Sequence, residues 1–129
     1  MPVQAELVVD ARHGTGESPV WHVSEQALYW VDIPARALWR WDAASGQLKS
    51  WLAPEMLACI AWSGHPGRWI AGMESGMFEL QTEGATLHSK LLAPVQHASQ
   101  NMRFNDGRCD RQGRMWAGTM HMNMGFASK

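Results

Sequence analysis

The chain has 129 residues, 46% of them hydrophobic and 18% charged, and its 11 Lys+Arg against 12 Asp+Glu leave a net charge of -1. That length suits one ordinary domain, and a balanced charge without a basic run excludes the electrostatic footprint of a nucleic-acid binder and polybasic attraction to anionic membrane. Glu6, Asp10, Arg12, His13 and Glu17 interrupt the opening stretch, so no signal-peptide core and no span of ~18 apolar residues is expected there, and a cytoplasmic protein is.

In chain order, short apolar or alternating runs predict strands over 20–23, 27–33, 37–41, 47–52, 57–62, 68–73, 77–81, 86–92, 107–110 and 114–120. Between them lie Ala43-Ala44-Ser45-Gly46, Gly64-His65-Pro66-Gly67, Glu74-Ser75-Gly76 and Arg111-Gln112-Gly113, all rich in turn formers. No stretch carries helical periodicity, so the fold class is all-β. Cys59 and Cys109 show no Cys-x-x-Cys pairing, which suits two free thiols in a reducing compartment. Eight Trp against one Tyr and three Phe demand extensive packed surface, with Trp39 and Trp41 sharing a face expected between neighbouring units.

The strands repeat. Trp51-Leu52-Ala53-Pro54 returns as Leu91-Leu92-Ala93-Pro94 at an offset of 40, and Trp21 falls on Trp62 at 41. Gly67-Arg68-Trp69-Ile70-Ala71-Gly72 returns as Gly113-Arg114-Met115-Trp116-Ala117-Gly118 at 46, with four of the six residues identical. Units of ~40–45 residues holding four short strands are β-propeller blades. At ~43 residues each the chain makes about three, whereas closed propellers typically have four to eight. Arg114 to Met120 then reads as the second strand of a third unit.

Several chemistries are excluded by inspection. The dinucleotide pattern begun at Gly14 would place its third glycine on Pro19. Glu74 stands where a nucleophile elbow needs Ser, and an EF-hand loop built on Gly107 would begin at Met102, which cannot ligate calcium. The six His lack the i, i+4 spacing of a helical zinc site.

Two segments remain. In Gly16-Glu17-Ser18-Pro19-Val20-Trp21, Pro19 biases Ser18 towards extended backbone and so directs Glu17 at a strand mouth. Glu17 there is either a solvated loop acid or a ligand for a hard cation. In Arg103-Phe104-Asn105-Asp106-Gly107, Arg103 and Asn105 share one face of an extended segment and Phe104 the other. That segment is either a sugar-binding pair, guanidinium and amide, or plain Asn-Asp-Gly turn chemistry.

In their order and separation these segments, with Val31-Asp32-Ile33, Arg40-Trp41-Asp42 and Asp110-Arg111-Gln112-Gly113-Arg114-Met115-Trp116-Ala117-Gly118-Thr119-Met120, resemble the SMP-30/gluconolactonase/regucalcin-like family of sugar lactonases. The resemblance implies a six-bladed β-propeller of which residues 1–129 form the N-terminal half, about three four-stranded blades. It implies a divalent metal, calcium or zinc, on a Glu, an Asn and an Asp. Glu17 matches the Glu, and the Asn and the Asp, the latter also the catalytic base, fall beyond Lys129. The family's substrate-binding Arg and Asn match Arg103 and Asn105. Asn123 stands where some members carry an acidic residue, with His121 nearby, which leaves the sugar preference open.

The implied reaction is metal-dependent hydrolysis of an aldonolactone to the aldonic acid. With two of three metal ligands missing, this chain is expected to bind the metal weakly and to be inactive alone. Its open blade faces are expected to drive self-association. Two alternatives stand beside this reading: a non-catalytic propeller fragment that associates through exposed strands, and a related propeller esterase or phosphotriesterase.

Overall fold

The computed structural model describes residues 1–123; residues 124–129 of the expected 1–129 unit lie outside the described residues. Ten strands form three antiparallel sheets and there is no helix among the described residues. The first sheet has the order β1 (Gly16–His22), β2 (Ala27–Asp32), β3 (Ala37–Asp42), β4 (Leu48–Leu52). The second runs β5 (Cys59–Trp62), β6 (Arg68–Gly72), β7 (Gly76–Glu83), β8 (Thr86–Pro94). The third pairs β9 (Met102–Cys109) with β10 (Met115–His121), so its second strand is where the repeat places it. Two four-stranded units followed by the first two strands of another make a partial β-propeller.

The internal repeat is structural. Trp21 and Trp62 occupy the first strands of their sheets, the Leu52-Ala53-Pro54 and Leu92-Ala93-Pro94 stretches lie at the ends of the fourth strands, and the Gly-Arg repeats open the second strands. Gly67 and Gly113, equivalent in that repeat, have φ of 68° and 81°, a left-handed conformation that glycine adopts without steric cost.

Alternation explains where the core sits. Ala27, Tyr29 and Val31 of β2 are buried, and with Leu38, Trp51, Ile60, Trp69 and Leu80 they form the continuous core that joins the sheets. Tyr29 meets Trp69 with ring centroids 4.4 Å apart, a pairing across the first and second sheets. Full burial of such side chains is worth roughly 1.5–3 kcal/mol each.

Trp39 and Trp41 lie on the face of the first sheet turned away from the second. Trp39 stacks on Trp30 at 6.2 Å with 12° between planes and lies 5.0 Å from His13. Trp41 lines a hollow with Leu28, Trp30 and the N-terminal residues Leu7 to Val9. Among the described residues the N-terminal segment lies against this face, where His13 is anchored. Trp30 Nε1–H donates to His13 Nε2 at 2.7 Å, which leaves the His13 proton on Nδ1, 3.3 Å from Asp32. Thr15 N–H also donates to Asp32, at 3.1 Å.

Candidate functional site

The first strands of the three sheets meet. Glu17 to Trp21 of β1, Ile60 to Trp62 of β5 and Asp106 to Cys109 of β9 line one hollow of about 610 Å³. Glu17 is exposed on its wall. Among the described residues there is no group of three or more His, Cys, Asp or Glu placed to hold a metal. The carboxylates of Glu17 and Asp106 on the hollow are hard oxygen donors that suit a divalent cation in kind, but calcium takes about six to eight such ligands, and the described residues fall short in number.

Both candidate segments sit on β-bulges. In the β1–β2 ladder Glu17 faces Val31 and Val20 faces Tyr29, so Ser18 and Pro19 together oppose Trp30 alone. Ser18 has φ of 54°, which corrects the extended backbone expected before Pro19. The bulge outweighs the proline's preference because the Ser18 side chain is locked across sheets: its Oγ accepts Ile60 N–H at 2.9 Å and lies 3.5 Å from Ile60 O. A non-glycine residue held at positive φ costs of order 1–3 kcal/mol and persists only where the surroundings impose it.

In the β9–β10 ladder Gly107 faces Ala117 and Phe104 faces Thr119, leaving Asn105 and Asp106 opposite Gly118 alone. Asn105-Asp106-Gly107 is therefore strand with one extra residue and not the turn its composition allows. The extra residue brings Phe104 and Gly107 to one face, Phe104 against Gly72 and Gly107 against Cys59, although they are three positions apart. Asn105 and Asp106 between them are exposed, and Asp106 faces the hollow.

Arg103 Nη1 donates to the Phe104 carbonyl at 2.8 Å and to Asn105 Oδ1 at 3.3 Å, so guanidinium and amide touch on one side of β9 while Phe104 is buried on the other. Neither lines the hollow; their neighbour Asp106 does. Asn123 lies exposed on the turn after β10, its backbone N–H donating to His121 Nδ1 at 3.1 Å. Met122 N–H donates to Asn101 O at 2.7 Å, which keeps this turn at the Arg103 end of the sheet. The structure thus joins Arg103 to Asn105, seats Asn123 at their end of the third sheet, and puts Glu17 on a different strand.

Asp106 and Ser18 escaped the reading of the residue types. The signal that finds Asp106 is the repeat, because the offset of 46 lays Asn105 to Arg108 on Cys59 to Trp62, a strand lining the same hollow. Behind that wall Cys59 is buried, and desolvation pushes its thiol up to about 11 despite a hydrogen bond from the Gly72 backbone.

A family model described as the SMP-30/Gluconolactonase/LRE-like region matches residues 15–128. The chain belongs to this family. It is 41% identical over 105 residues to the 6-deoxy-6-sulfogluconolactonase of Pseudomonas putida, covering 81% of this chain and 35% of that protein. Over 112 residues it is 38% identical to the L-arabinolactonase of Azospirillum brasilense, covering 85% and 36%. Its fold superposes on a calcium-binding protein, regucalcin, from Agrobacterium tumefaciens with a TM-score of 0.79 and 25% identity, over 89% of this chain and 38% of the other. The chain therefore spans little more than a third of the length of these SMP-30/gluconolactonase-like proteins, and its ten described strands form part of a β-propeller. Among the described residues no helix is long and apolar enough to cross a membrane.

Proposed function

We propose that this chain is the N-terminal part of a metal-dependent sugar-lactone hydrolase that opens an aldonolactone to the aldonic acid. The observation that carries the reading is the placement of Glu17 on the wall of a hollow where three first strands meet, with Asp106 on the same wall and the Arg103–Asn105 pair beside it on β9. Relatives named as lactonases support the reaction class.

In this reading Glu17 contributes an oxygen to a divalent cation, calcium or zinc, whose chemistry when bound is to polarise the lactone carbonyl. Arg103 and Asn105 bind sugar hydroxyls, the guanidinium donating and the amide both donating and accepting, and so orient the ring for attack. Their mutual hydrogen bond holds the pair before substrate arrives. Asn123 adds an amide at the same end in place of a carboxylate, which removes a negative charge from the substrate's surroundings. The remaining cation ligands and the general base come from blades outside these residues, so the 129-residue chain is inactive alone.

Acid release from glucono- and arabinono-lactone, with and without calcium or zinc, tests this. The 129-residue chain should not exceed spontaneous hydrolysis. A protein in which the chain continues through the remaining blades should turn over in the presence of metal. In that protein Arg103→Ala and Glu17→Gln should each lose roughly 10²-fold in rate, the scale of a misplaced substrate. Metal-independent turnover, or full activity of Glu17→Gln, would overturn the proposal.

A second reading rests on exposure. Trp21, Trp62 and Trp116 are 44%, 45% and 64% exposed, and the outer edge of β10, which carries no Lys, Glu, Asp or Pro, is unpaired among the described residues. Such surfaces associate. Sedimentation showing a concentration-independent monomer of the 129-residue chain would exclude it.

A further inference from the structure

Between the second and third sheets Cys59 Sγ and the Met115 methyl approach each other over Gly107, and Cys109 Sγ touches Met115 Sδ. Cys109 and Met115 face each other across the β9–β10 ladder, with Cys109 Sγ 3.9 Å from Met115 Sδ. Two positions before Cys109 on the same face of β9 lies Gly107. A Cβ there would stand 2.9 Å from Cys59 Sγ and 2.8 Å from Met115 Cε, so these groups converge over the glycine. Gly72 on β6 leaves the other side open in the same way, since a Cβ on it would come within 2.8 Å of Cys59 Sγ. Two glycines thus leave the space that Cys59 and the end of Met115 occupy, with Cys109 against Met115 on its outer side.

We propose that Cys59, Cys109 and Met115 form a binding site for one soft monovalent cation of the Cu(I) class. Thiolate and thioether ligands select such ions over hard ones. Two sulfurs on a common ion with bonds of ~2.3 Å stand ~4 Å apart, and the Cys109–Met115 separation of 3.9 Å already meets that. The ion enters through the hollow, because Cys109 is exposed on its wall while Cys59 is the buried ligand behind it. Each thiol that coordinates releases its proton to solvent, and no electron is transferred. The site is separate from the oxygen donors Glu17 and Asp106, and it stands whether or not the lactone reading does.

The experiment is anaerobic competition for Cu(I) against a chromophoric Cu(I) chelator, using the 129-residue chain. One equivalent should be withdrawn from the chelator, and Cys109, the exposed thiol, should become resistant to Ellman's reagent in the native protein until the copper is removed. Cys109→Ser and Met115→Leu should each weaken binding by roughly tenfold or more, the scale of disturbing a metal site's ligand environment, while Trp fluorescence stays unchanged. These two positions lie outside the buried core, so they carry the test even if Cys59→Ala fails to fold. Failure to compete would overturn the proposal. So would undiminished affinity in Met115→Leu, which would leave the thioether no part in holding the ion.

Discussion

Ser18 Oγ accepts the backbone N–H of Ile60 at 2.9 Å, tying the bulge beside Glu17 in the first sheet to the first strand of the second. The bond crosses 42 residues of sequence and compensates for a left-handed backbone that a serine before proline otherwise avoids. Ser18→Ala leaves the Ile60 amide without its acceptor in a partly buried place and keeps the strain. It should cost about 1–3 kcal/mol in urea unfolding. Ser18→Gly relieves the positive φ and should cost less. Equal losses would show that the backbone conformation is not strained.

Asp110 organises the β9–β10 hairpin. Its carboxylate accepts from Trp116 Nε1 at 2.9 Å, from Arg114 N at 3.0 Å and Arg114 Nε at 2.7 Å, and from Gln112 N at 2.9 Å. The Trp116 indole first, then the Arg114 backbone, hold its pKa below the ordinary 3.8. A carboxylate depressed in the folded state contributes stability that is fully present above the unfolded pKa and is lost as pH falls through the folded one. Asp110→Asn should therefore destabilise the hairpin at neutral pH, and the gap from wild type should shrink as pH drops below about 4. Trp116 fluorescence during acid titration reads it directly. A gap that stays constant with pH would contradict the charge-based account.

The two thiols should differ in reactivity. Cys109 is exposed, whereas Cys59 is buried with its thiol pushed up to about 11 by desolvation. At pH 8, metal-free native protein should release one equivalent of thionitrobenzoate rapidly, and denatured protein two. Fast reaction of both in the native state would mean that the interface of the second and third sheets opens readily.

Gly107→Ala tests the close approach of the β9 bulge to the second sheet. The new methyl would meet Met115 Cε at 2.8 Å, Cys59 Sγ at 2.9 Å and the Trp116 carbonyl at 2.9 Å. The flexible methionine end can give way, but the backbone carbonyl cannot. Overpacking of this kind costs typically 1–3 kcal/mol, and it should appear as a lower thermal midpoint of the chain. Gly46→Ala is the control for a glycine in open space, with φ of 71° and no heavy atom within 4 Å, where only backbone strain acts.

Much of the architecture is legible in the chain itself. The offset that carries Gly67-Arg68 onto Gly113-Arg114 places both at the starts of second strands, and the tight turns fall where Gly46 and Gly113 demand them. The first strands reach further than their apolar runs. β1 begins at Gly16 and β9 at Met102, before the apolar runs that announce them, because Glu17, Ser18 and Asn105, Asp106 are polar residues inside strands.

Local residue types and their spacing determined the all-β class, the blade-like period and the identities of Glu17, Arg103 and Asn105 as groups worth watching, since burial on alternate faces imprints a period of two on any half-covered strand. Only the tertiary structure decided which side those groups face. A bulge is defined by the count of residues on the partner strand, two against one at Trp30 and at Gly118, and no strand carries that count in its own sequence. The same holds for Ser18 with Ile60 and for Cys59 with Met115, which meet because separate sheets pack together.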